Sequence, residues 1–149
     1  MNWLSHLFKS KPREPELVHP IFGIMASYKS HDGSIYWQTY EDFDTPIGPL
    51  NMTIDGTAEG PSEELVTSWQ AILADINGWK AKAEPKLRET LQGFGHEKKF
   101  NELKLTGFGM NTVGREPVDW DMSFELESEG FLYTVCFKDG EATLVHADS

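Results

Sequence analysis

The chain has 149 residues, 39% of them hydrophobic, one cysteine and a formal net charge of -11. That length suits one domain with a closed core, and the composition excludes a disordered chain. A lone Cys136 excludes an internal disulfide framework and a multi-cysteine metal site, while the acidic balance excludes a nucleic-acid binder of the usual basic kind.

Residues 1–17 read as an N-terminal amphipathic segment and linker, and 18–149 as a single domain. Met1 to Phe8 is apolar and precedes Lys9, Lys11 and Arg13. A secretory signal has its charges before a longer apolar stretch, and a membrane span needs about 20 apolar residues, so neither is expected. On a helix, Trp3, Leu4, Leu7 and Phe8 share a face suited to docking on protein. A membrane surface is the weaker alternative, because two helical turns bind lipid poorly without a second anchor.

Three strands are predicted next: Ile21 to Tyr28, Ile35 to Phe43 and Leu50 to Ile54, separated by turn chemistry at Ser30-His31-Asp32-Gly33-Ser34 and at Pro46, Gly48 and Pro49. In the second, Ile35, Trp37, Thr39 and Phe43 face one way, with Tyr36, Gln38, Tyr40 and Asp42 opposite. Gly60-Pro61-Ser62-Glu63-Glu64 opens a helix with proline at its first position and acids in its first turn. Its apolar stripe runs from Leu65 through Trp69, Ile72, Leu73, Ile76, Trp79, Ala83 and Leu87 to Leu91. Asn77-Gly78 and Pro85 predict a kink or break between Gly78 and Pro85.

Leu103 to Phe108 reads as a weaker strand, with Gly107 and Gly109 marking a bulge or loop. From Val118 to Glu127 the alternation is clear: Val118, Trp120, Met122, Phe124 and Leu126 on a core face, Asp119, Asp121, Ser123, Glu125 and Glu127 on a wet, acidic one. Lys138-Asp139-Gly140-Glu141 encodes a two-residue hairpin. Its register places Phe137 opposite Ala142, Val135 opposite Leu144 and Tyr133 opposite His146, with Phe124 meeting Tyr133 and Trp120 meeting Phe137. The sum is an α+β domain: a mostly antiparallel sheet of about six strands, in β3-α-β3/4 order, with one long kinked or broken helix on one face.

The chain offers little catalytic chemistry. Ser30-His31-Asp32 has the residue types of a triad, but neighbours in a turn cannot align as nucleophile, base and orienter. Asp119-Trp120-Asp121 has the spacing of a divalent-ion pair, which makes a carboxylate-based, metal-dependent enzyme the alternative reading. Glu41-Asp42-Phe43-Asp44 lacks the glycine and terminal glutamate of a calcium loop. The five histidines show no zinc spacing, Cys136 reads as inert, and no phosphate loop is present, so no metal or cofactor is expected.

The informative feature is where the charge lies. Residues 30–60 carry six acids and no Lys or Arg, and residues 115–149 carry nine acids against Arg115 and Lys138. Segregated acids point to a protein partner with a basic surface and argue against nucleic acid and anionic lipid. Tyr36, Tyr40, Asp42, Asp119, Asp121, Glu125 and Glu127 are the candidate docking residues.

The run His19-Pro20-Ile21-Phe22-Gly23, Trp37, Ile54-x-Gly56, Gly60-Pro61-Ser62-Glu63 and Trp120-Asp121-x-x-Phe124-Glu125 resembles small bacterial domains of unknown function, over residues 18–147. Some similar proteins stand beside toxins as immunity proteins. The resemblance implies a non-enzymatic protein of a bacterial cytoplasm, of the immunity type, that occludes a basic effector.

Overall fold

A computed structural model gives the fold; it describes residues 17–112, 115 and 118–149. The amphipathic segment with Trp3, Leu4, Leu7 and Phe8 lies outside the described residues. The described chain is α+β, with a mostly antiparallel open sheet. Its strands are β1 (Leu17–His19), β2 (Gly23–Lys29), β3 (Ile35–Thr39), β4 (Asn51–Thr57), β5 (Gly60–Pro61), β6 (Lys104–Met110), β7 (Trp120–Leu126), β8 (Phe131–Lys138) and β9 (Glu141–Asp148). The order across the sheet is β1-β2-β3-β4-β6-β7-β8-β9, with β5 hydrogen-bonded beside β4. Nine strands replace the expected six, because β1 and β5 are too short to carry an alternation and β6 is a full strand.

The expected single helix is two, α1 (Glu63–Ala74) and α2 (Ile76–Gly93). The break falls at Asp75, earlier than Gly78 to Pro85. Asp75 has φ -119 and ψ 38, outside the helical region, and its carbonyl accepts from Trp79 N at 3.2 Å. Gly78 does not end a helix; a Cβ there would stand 2.7 Å from the Asp75 carboxylate, so the glycine makes room for the junction. Pro85 sits inside α2 on its exposed side. Pro61 is in β5 and not in the helix; Ser62 is the N-cap, its Oγ accepting from Leu65 N at 3.3 Å.

The two helices cover one face of the sheet. On α1, Trp69 meets Phe22, Phe43 and Phe108 edge-on. On α2, Trp79 stands edge-on to Trp120 and Phe137, whose rings stack with centroids 4.3 Å apart. These contacts continue the stripe read from the sequence, since Trp69, Ile72, Ile76, Ala83, Leu87 and Leu91 are all buried. Fully burying one such aliphatic or aromatic side chain is worth about 1.5–3 kcal/mol. At the entry to the sheet, buried His19 accepts from Ile21 N and Phe22 N through Nδ1 and so closes the turn from β1 to β2.

The closing strands follow the expected pairs Phe124–Tyr133, Trp120–Phe137 and Phe137–Ala142. Beyond them the register departs. A bulge between Cys136 and Phe137 shifts β9 by one residue, so Val135 lies opposite Val145 and Tyr133 opposite Ala147. His146 therefore pairs with Thr134 and is exposed, where a clean hairpin would have buried it beside Tyr133.

The central join is between β4 and β6, which run parallel, with Asn51 beside Gly107 and Thr53 beside Gly109. The chain leaves β4, passes through both helices and returns as β6. The two acidic blocks thus belong to one continuous sheet. Among the described residues no helix is long and apolar enough to cross a membrane.

Candidate functional site: a polar cleft and an acidic end

Strand alternation sends every second side chain of the sheet away from the helices. The register aligns these in rows. One row runs Gln38, Thr53, Gly109, Asp121, Cys136 and Leu144; the next runs Asn51, Gly107, Ser123, Thr134 and His146. Where the rows cross β6 they meet two glycines in place of side chains. A cleft of about 210 Å³ opens there, walled by Tyr36, Gln38, Asn51 and Thr53 on one side and by Asp121, Ser123 and Thr134 on the other.

The glycines are required by close approach. A Cβ on Gly107 would collide with the Asn51 amide, and one on Gly109 would stand 2.7 Å from the Asp121 carboxylate. Asn51 is anchored by Nδ2, which donates to Thr106 O at 2.9 Å. Ser123 Oγ and Thr134 Oγ1 hydrogen-bond each other at 2.9 Å. Gln38 is 3% exposed, and its Nε2 finds no acceptor among the described residues. A buried amide left unpaired forfeits its hydration without recompense.

Asp121 is 6% exposed and is bonded by Arg115 Nη2. The same guanidinium donates through Nη1 to Asn111 O at 2.9 Å and to Asn111 Oδ1 at 2.8 Å. Burial pushes the Asp121 carboxyl above its ordinary value, and the opposing pull of Arg115 only partly offsets that. Burial likewise raises the Tyr36 phenol and the Cys136 thiol. Cys136 is fully buried.

The expectation of a wet acidic strip along β7 is therefore corrected. Asp121 and Ser123 are buried, and the acids of that alternation part company. Asp119 lies at the β7 entrance, where Asp139 N donates to it at 2.9 Å and Lys138 Nζ at 3.1 Å; both hold its carboxyl below the ordinary value. With Asp119 tied to Lys138 and Asp121 to Arg115, the two carboxylates do not converge on a common ion. Among the described residues no group of three or more His, Cys, Asp or Glu stands together to hold a metal. Ser30, Asp32 and Ser34 form a self-contained turn: Asp32 accepts from Ser34 N at 3.0 Å and from Ser30 Oγ at 2.9 Å, and with the Ser34 hydroxyl, the largest cause, these bonds lower its carboxyl to about 2.

The remaining candidates gather elsewhere. Gln38 faces Thr53 and Asn51 sits beside Gly107, so the loop from Tyr40 to Leu50 leaves the sheet at the end where β6 begins. Antiparallel β7 finishes at that same end, with Glu125 opposite Lys104. Tyr40, Asp42, Glu125 and Glu127 thus share one end of the sheet, and Glu41 and Asp44 accompany them. None of these five acids makes an ion pair among the described residues. Tyr36 alone of the two candidate tyrosines lines the cleft.

The sequence marks Gln38 only as an outward strand residue and Arg115 only as a countercharge, and it does not mark Asn51 or Asn111 at all. The available signal was Gly107-x-Gly109 within an otherwise β-like run, which reads as weakness in one strand but opens space for side chains of its neighbours.

No protein-family model, no curated protein and no solved structure matches this chain.

Proposed function

We propose that the protein is a non-enzymatic binding protein that receives a partner with a basic surface at the acidic end of its sheet. An immunity-type inhibitor that occludes a basic effector in a bacterial cytoplasm is the form of this reading the sequence resemblance favours. One observation carries it: the parallel pairing of β4 with β6 brings acids from both charged blocks, Asp42 with Glu125 and Glu127, to one end. There, unlike Asp119 and Asp121, they make no ion pair among the described residues. Lys104 stands opposite Glu125 without pairing to it, so the excess of acids at that end of a chain of net charge -11 steers a cationic surface and speeds its docking. The non-enzymatic reading is supported by the cleft's own contacts, where the Ser123 and Thr134 hydroxyls bond each other and the Asp121 carboxylate is bonded by Arg115.

Affinity capture from native lysate tests the reading. At low ionic strength a basic protein should be retained, and it should elute as salt approaches about 1 M, where the Debye length falls to about 3 Å. Retention unaffected by salt, or capture only of acidic proteins, would argue against it.

A further inference from the structure

We propose that the apolar residues Trp3, Leu4, Leu7 and Phe8 of this chain's own N-terminal segment dock into the apolar groove beside the C-terminal half of α1. This goes beyond the reception of a partner at the acidic end and does not rest on it. The groove encloses about 470 Å³. Buried Phe43 and Trp69, half-buried Leu73 and exposed Ile21 and Ile47 line it. Ile21 and Ile47 are large apolar side chains left 37% and 41% exposed on the same opening. Covering them gains the hydrophobic stabilisation that the fold of the described residues leaves unused.

Reach, charge and tethering select this occupant over others. His19 stands 3.5 Å from Glu63, so β1 lies at the first turn of α1. Trp69 to Ala74 follow roughly 9–16 Å further along that helix, at about 1.5 Å per residue. Residues 9–16 separate Phe8 from Leu17, and when extended they span up to about 26–29 Å, enough to run back along α1 to the groove. Directly after its apolar stretch the segment carries Lys9, Lys11 and Arg13, with Glu14 and Glu16 following at the Leu17 end. The groove carries Asp44 among its lining, with Glu41 on the same loop. Both acids are exposed, and neither makes an ion pair among the described residues. Cations beside an apolar stretch thus match acids beside an apolar groove. A short tether holds the segment at an effective concentration on the order of millimolar. A second copy of the chain lacks that advantage, and its net charge of -11 opposes the approach.

The test is paramagnetic NMR on the full chain with isotopically labelled methyl groups and a nitroxide on Ser5→Cys; Cys136 is fully buried and takes no label. The methyl signals of Ile21, Ile47 and Leu73 should lose most of their intensity relative to the reduced, diamagnetic sample. Those of Leu144 and Val145 on β9, the opposite edge of the sheet, should keep theirs. Leu7→Asp/Phe8→Asp should restore the lost intensity, and Ile47→Asp, at an exposed position, should restore it at Ile21 and Leu73. An equal mixture of labelled chain without nitroxide and unlabelled chain with it should show no loss. Groove signals unchanged by the nitroxide would overturn the proposal, as would a loss that is equal at Leu144 and Val145 or that survives either variant. So would a loss of the same size in the mixture, which would make a second copy the occupant.

Discussion

Gln38 Nε2 is buried and finds no acceptor among the described residues, so it forfeits its hydration without a replacing bond. Gln38→Leu should therefore stabilise the protein by about 1–2 kcal/mol, measured as a higher denaturant midpoint with an unchanged slope. A loss of stability would mean that the amide is satisfied in solution by protein or by firmly held water. Asp121 carries a second residue-scale expectation. Its folded pKa is raised, so the folded state holds the proton more tightly than the unfolded chain does. Its contribution is most favourable at low pH and declines as pH rises from about 3.9 through the raised folded value. Asp121→Asn, which mimics the protonated acid, should gain on the parent protein in stability as pH climbs from about 3 to 7. A gap moving the other way would show that the Arg115 pair outweighs burial. Asp119 and Glu129 act in the opposite sense: hydrogen bonds and lysines lower both, so what they stabilise is present above the unfolded pKa and is lost as pH falls through the folded value.

At the level of elements, the long periodic signals were legible and the junctions were not. The stripe from Trp69 to Leu91 depends only on which face is buried, and burial is encoded in residue type. On β7 the core residues Trp120, Met122, Phe124 and Leu126 were legible in the same way, but the face expected to be wet buries Asp121 and Ser123 as well. The helix break depends on Asp75 and on the room left by Gly78, a contact across one turn that no periodicity reports. The bulge at Cys136 and Phe137 follows no local rule either, and it moved His146 from the core face to the exposed one. The candidate site was half legible for the same reason. Tyr36 and Asp121 stood out by their type, whereas Gln38, Asn51 and Arg115 join them only through pairing between distant strands. Pro85 gives an element-scale test. It lies on the exposed side of α2 and removes one helical hydrogen bond, so Pro85→Ala should stabilise by about 1–3 kcal/mol in thermal or chemical unfolding. No gain would show that the packing of Ala83 and Leu87 relies on the geometry that proline imposes.

Across the whole molecule the decisive feature is the single parallel pair at the centre of an otherwise antiparallel sheet. Had the two acidic blocks formed separate sheets, their charges would be unrelated surface. Joined through β4 and β6, the blocks place Asp42, Glu125 and Glu127 at one end, while Asp119 and Asp121 are neutralised by their own cations. The most direct measurement is the salt dependence of affinity for the captured partner, compared between the parent protein, the Asp42→Asn/Glu125→Gln/Glu127→Gln variant and Asp119→Asn. The triple variant is expected to bind more weakly at low salt and with a shallower salt dependence, and Asp119→Asn to stay close to the parent. Equal salt dependence in all three, or a larger loss in Asp119→Asn, would contradict the placement of recognition at the acidic end.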